Sequence, residues 1–134
     1  MPESATFLRI QEVRSLRPIP TVSYTHLTLP TIAERGGVTG INFCPSFLRE
    51  EEPAAKKAST MDMVRHMKYL RNVGGIDIIG LGTDFDGFSG ETDVPDTAHM
   101  QHLADVMSHD GFTDEEIEKV FSKNVLRVFR ECWK

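Results

Sequence analysis

The chain has 134 residues, which fits one domain on the usual scale of roughly 100–200, and its 40% hydrophobic and 26% charged content is that of a globular polypeptide. A formal charge of -5 gives no reason to expect nucleic acid or an anionic membrane as partner, and no apolar run approaches the roughly 20 residues that cross a bilayer. Cys44 and Cys132 are too few and too far apart for a disulfide framework, and "MPESATFLRI" lacks signal-peptide character, so a reduced, cytoplasmic chain is expected.

Residues 1–31 carry Pro18, Pro20 and Pro30 among β-branched and hydroxyl residues, without a helical period. An irregular segment is expected there, with "TVSY" as a short extended piece. From Glu34 onward each stretch has a clear signal. "GGVTGINF" (36–43) reads as a buried strand, and "CPSFLREEEPAAKK" as the loop after it. Ser59 is the predicted N-cap of a helix, with Asp62 completing a variant capping box. Met63, Val64, Met67 and Leu70 give that helix one apolar face, and Gly74 and Gly75 stop it. "IDIIGLG" (76–82) is a second apolar strand. A helix is predicted across roughly 97–108. Thr113 and Glu116 then form a T-x-x-E box ahead of Ile117, Val120 and Phe121, and a last helix carries Val125, Leu126, Val128 and Phe129. Strand, helix, strand, helices is a βαβ unit with a helical tail, so the sheet is parallel and the class α/β. Two parallel strands need more neighbours than this order supplies, which points to part of a larger α/β body.

"GLGTDFDGFSG" (80–90) ends the second strand in Asp84 and Asp86, with Gly80, Gly82, Gly87 and Gly90 around them. Catalytic groups of α/β barrels stand where strands give way to loops, and glycines let a ligand or metal come close to the backbone. A carboxylate there suits metal ligation, the orienting of a metal-bound water, or proton shuttling; it equally suits an Asx-turn. An EF-hand is excluded, because counting from Asp84 puts Phe88 at position 5, Ser89 at 6 and Pro95 at 12. His99 and His102 could share a helix face, but no Cys or Glu completes a zinc spacing, and a solvated face is expected. His66 is expected to be a hydrogen-bonded histidine between helix and sheet, His109 a helix-end cation, and Cys44 an inert thiol.

Three stretches resemble the renal, or membrane, dipeptidase family of zinc peptidases: "AERGGVTGINFCPSFL" (33–48), "HMKYLRNVGGIDIIGLGTDFDGF" (66–88) and "GFTDEEIEKVFSKNVLRVF" (111–129). The resemblance implies the C-terminal part of a metal-dependent-hydrolase (β/α)8 barrel over residues 32–134, with about two parallel strands plus helices. It implies hydrolysis of dipeptides by a hydroxide bridging two zinc ions, with Asp84 in the place of the catalytic aspartate that hands the proton to the leaving amine. Asp86 would have a positioning role in the loop at most. The family's His-x-Asp pair, bridging glutamate and Ser-His-Ser turn have no counterpart here. No residue is therefore assigned as a metal ligand, His26 being a poor stand-in, and the chain alone is expected to be inactive and not to retain zinc. "VSYTHLTLPTI" resembles adapter-derived sequence, so residues 1–31 are expected to be foreign or misassembled. A barrel portion exposing apolar sheet is expected to aggregate or form homo-oligomers. The competing reading is a non-enzymatic α/β module that binds a ligand or partner through the Gly80–Gly90 loop.

Overall fold

The computed structural model describes residues 7–9, 21–49, 52 and 54–133, with side chains described from Thr28 onward. Three short strands make a parallel sheet in the order β1 (Phe7–Arg9), β2 (Val38–Ile41), β4 (Ile79–Leu81). The register sets Phe7 opposite Val38, Thr39 opposite Ile79 and Ile41 opposite Leu81. β3 (Lys57–Ala58) and β5 (Glu91–Thr92) form a separate parallel pair. The predicted strands are present but shorter than their apolar runs. Ile76–Ile78 is a 3-10 turn leading into β4, and a third strand joins the sheet at Phe7–Arg9.

The irregular segment expected before residue 32 is corrected in its second half. Thr21–Glu34 forms the helix α1, with Pro30 inside it. Leu29 and Ile32 are buried, 3% and 5% exposed, and belong to the core cluster. Tertiary burial of this small apolar stripe offsets the loss of a backbone donor at proline. A four-residue helix, α2 (Pro45–Leu48), follows β2 with proline in its first turn.

α3 (Thr60–Gly74) starts and stops on local chemistry. The Ser59 side chain accepts the Asp62 N–H, the Asp62 carboxylate accepts the Ser59 N–H at 2.9 Å, and Gly75 takes the left-handed φ of 86° that ends the helix. Met63, Val64 and Met67 are fully buried against the sheet. Burial opposes the charge on Asp62, but its bonds from Ser59 and the nearby Arg65 and Arg49 outweigh that and hold the carboxyl below its ordinary value. Replacement Ser59→Ala is expected to cost about 1 kcal/mol, read as a lower urea midpoint at unchanged m-value. Because the folded value is depressed, the Asp62 contribution is complete above the unfolded carboxyl range and is lost as pH falls through the depressed value. Asp62→Asn should flatten that acid limb.

The C-terminal third is helical. A 3-10 turn at Thr97–His99 leads into α4 (Met100–His109). Thr113 and Glu116 make the reciprocal capping box at 3.2 and 3.0 Å that opens α5 (Asp114–Glu118). The same helix widens through a π turn at Lys119–Lys123 and returns to α geometry as α6 (Asn124–Cys132). Val120 and Val128 are buried, Ile117 and Phe121 pack on the core, and Leu126 and Phe129 face outward, with Phe129 stacked on Trp133 at 5.3 Å. Two anchors tie α6 to the sheet. Buried Asn124 donates from Nδ2 to the carbonyls of Ile76 and Ile79, both at 2.8 Å. Arg127 donates to the carbonyls of Gly36 and Asp77 at 2.5 and 2.8 Å.

Candidate functional site

Parallel pairing of β2 with β4 brings the two strand ends side by side. Beyond the strands proper, Gly82 N–H bonds the Ile41 carbonyl at 3.0 Å and Phe43 N–H bonds the Thr83 carbonyl at 3.4 Å. The residues that follow, Asn42 and Asp84, therefore stand next to each other on the C-terminal rim. Asn42 Nδ2 donates to Asp84 Oδ2 at 3.0 Å, and Asn42 Oδ1 accepts the Cys44 N–H at 2.8 Å. Phe43 is fully buried and meets Phe85 edge-on, with centroids 5.8 Å apart and planes at 81°. Phe43 and Phe85 directly follow Asn42 and Asp84 in the chain, so their contact braces both loops.

Asp84 is half-buried, with φ 59°, and its carbonyl accepts the Gly87 N–H at 2.9 Å, which folds 84–87 into a tight turn. Asp86 is exposed and also left-handed, with φ 66°. Aspartate is among the few residues other than glycine that tolerate this region. The neighbouring glycines also make room for the protein itself. A Cβ at Gly80 would stand 2.9 Å from Val38 Cγ1, and one at Gly82 would stand 3.3 Å from Gly40 Cα. One at Gly90 would stand 2.9 Å from Pro45 Cγ, and one at Gly87 would stand 2.2 Å from Asp84 Oδ1.

The remaining sequence candidates lie apart from this rim. His66 Nε2 is 2.9 Å from the Leu48 carbonyl, so it ties α3 to α2. His99 and His102 are exposed, and His99 Nδ1 is 2.7 Å from Asp96 Oδ1; that hydrogen bond holds the Asp96 carboxyl below its usual range. His109 is exposed at the end of α4. Cys44 is half-buried with its Sγ 3.3 Å from Ser46 Oγ. His26 lies in α1, but its side chain is outside the described residues. An open hollow beside the start of α3 is lined by Arg49, Lys57, Ser59, Asp62 and Asp93. Its acids are already engaged, Asp62 by Ser59 and Asp93 by the Thr60 N–H at 3.0 Å. Sequence reasoning did not find Asn42. Its only signal is a carboxamide at the end of an apolar run, which becomes informative once the strand beside it is known.

Among the described residues no helix is long and apolar enough to cross a membrane, and no three His, Cys, Asp or Glu are grouped so as to hold a metal ion. A zinc centre takes about three or more protein ligands, so these residues by themselves do not fit one.

The family model for membrane dipeptidase, peptidase family M19, matches residues 12–133. An uncharacterized protein in the pqqA 5' region of Klebsiella pneumoniae is 33% identical over 109 residues, covering 81% of this chain and 40% of that protein. Dipeptidase tcpJ of Claviceps purpurea is 32% identical over 104 residues, covering 77% of this chain and 24% of its own length. Among solved structures, a metallopeptidase from Rhodobacter sphaeroides bound to a phosphinate mimic of the dipeptide L-Ala-D-Ala superposes with a TM-score of 0.74 at 28% identity. That match covers 81% of this chain and 31% of the Rhodobacter chain. An amidohydrolase from Pseudomonas aeruginosa, at 19% identity and a TM-score of 0.67, shares the fold. The chain thus spans well under half the length of these relatives, with an α/β architecture that corresponds to part of their barrel. The parallel strands, the aspartate on their rim and the match over residues 12–133 lead to one assignment: the chain belongs to the membrane dipeptidase family of metallopeptidases, M19.

Proposed function

We propose that this chain carries the proton-transfer aspartate, Asp84, of a zinc-dependent hydrolysis of dipeptides, and that by itself it does not hydrolyse them. The observation that carries the reading is the placement of Asp84 on the C-terminal rim of parallel strands, held by Asn42, in a chain of a dipeptidase family. That rim is where (β/α)8 enzymes present their reacting groups. A half-exposed carboxylate there can take the proton of the water that attacks the peptide carbonyl. It then returns that proton to the amine nitrogen as the C–N bond breaks. Asp86, exposed on the same turn, shapes the loop.

The family is one of metallopeptidases, so the reaction calls for a metal, and the described residues do not group into a site that would hold one. The same observation, with the partial coverage of every relative quoted, supports inactivity of the chain alone. The purified 134-residue chain is expected to hold less than one zinc per molecule and to release no alanine from L-Ala-D-Ala above the blank. Tightly bound zinc with turnover that disappears in Asp84→Asn would leave the role of Asp84 standing and remove the claim of inactivity. Turnover that persists in Asp84→Asn would remove both.

A further inference from the structure

Asn42 is 6% exposed, and both ends of its carboxamide are engaged. The oxygen accepts the Cys44 N–H at 2.8 Å and the nitrogen donates to Asp84 Oδ2 at 3.0 Å. A carbonyl oxygen cannot donate and an amide nitrogen does not accept, so the Cys44 N–H fixes which way round the carboxamide sits. Its NH2 end is aimed at the carboxylate by a contact that Asp84 does not make. Beside the other oxygen, residue 87 supplies space: any Cβ there would stand 2.2 Å from Asp84 Oδ1 and 2.8 Å from Cγ. The carboxylate is thus located by a donor on one oxygen and by the absence of a side chain beside the other.

Resting on the reading of Asp84 as the proton carrier, we propose that Asn42 is its positioning residue. It commits Oδ2 to accepting an amide N–H and leaves Oδ1 as the oxygen that gains and loses the proton. An oxygen already facing an N–H hydrogen is the poorer seat for a second hydrogen, so protonation goes to its twin. Proton transfer needs the two heavy atoms within hydrogen-bond reach, and a carboxyl that turned freely would present either oxygen, or neither, to the amine. Asn42 prevents that turning, and the missing side chain at Gly87 gives the carboxylate room to sit in this orientation.

The test is side-chain NMR on the full chain without substrate or metal. In the unaltered protein the Asp84 Hβ protons should show the couplings to Hα of a single rotamer, one large and one small or both small, and not two intermediate values. One Asn42 Nδ2 proton should be displaced downfield from the position of a free carboxamide. Asn42→Ala should collapse the two Asp84 couplings to one averaged value, and Asp84→Ala should return the Asn42 amide to the free position. Gly87→Ala should do both while leaving donor and acceptor in the chain. Averaged Asp84 couplings in the unaltered protein, or couplings unchanged in Asn42→Ala, overturn the proposal. If Asn42→Ala does not fold, the loop variants Asp84→Ala and Gly87→Ala decide it, and an Asn42 amide unmoved in both overturns it. A chain inert toward dipeptides can still pass this test, and a chain that hydrolyses them through Asp84 can fail it, so the two readings fail separately.

Discussion

Replacing Asn124 by Leu is expected to destabilise the protein by about 2–5 kcal/mol, read as a lower urea midpoint with unchanged m-value. The side chain is 2% exposed, and its single Nδ2 serves both the Ile76 and Ile79 carbonyls at 2.8 Å. Leu keeps the branched outline but carries bulkier methyl groups, so slight overpacking adds to the loss of the donor. A buried acceptor left without a partner costs about 1–3 kcal/mol, more than the net gain of an ordinary hydrogen bond. The Ile79 bond is the more deeply buried of the two and dominates. Asn124→Asp should be worse, since it removes the donor and places a charge against two carbonyl oxygens. Arg130→Ala, on the exposed face of the same helix, should stay within about 0.5 kcal/mol. An Asn124→Leu midpoint equal to that of the unaltered protein would show that α6 does not depend on this anchor.

Phe43→Ala is expected to cost about 3–5 kcal/mol. Phe43 is 0% exposed at the end of β2, where the backbone around it cannot collapse freely because Phe43 N–H is bonded to Thr83. Part of the loss, about 0.5–1.5 kcal/mol, is the edge-on contact with Phe85. The consequence reaches the rim, because Phe85 follows Asp84 directly. Amide exchange at Gly87, whose N–H bonds the Asp84 carbonyl at 2.9 Å, should accelerate more than exchange within α4. Phe43→Leu, which leaves a smaller void, should retain most of the protection. Equal acceleration across the molecule would mean that the ring supports the whole core and not the loop in particular.

What the sequence made legible was set by how local the determining contacts are. Both capping boxes and the Gly75 stop act within a few residues, so Ser59, Asp62, Thr113 and Glu116 could be read directly and stand where expected. Asp84 could be placed at a strand end for the same reason. Asn42 could not be connected to it, because their contact spans 42 positions and exists only through the pairing of Ile41 with Leu81. α1 was missed because its local signals oppose it: Pro30 removes a donor, and the buried stripe of Leu29 and Ile32 is too short to register as a period. The glycines of the Asp84 loop were correctly marked as places of close approach, but what approaches, Val38, Pro45 or the carboxylate of Asp84, is a matter of tertiary structure.

The π turn at Lys119–Lys123 bears on how this segment tolerates changes of length. A π turn seats one extra residue without passing on the rotation of about 100° that an added position gives in an α-helix. Deleting a single position there would restore an uninterrupted α-helix and leave Asn124, Arg127 and Val128 facing the carbonyls and the core they now meet. The widened turn therefore absorbs a difference of one residue between the two halves of the helix, and a chain one position shorter between Thr113 and Asn124 would keep the same anchors on an unbroken α-helix.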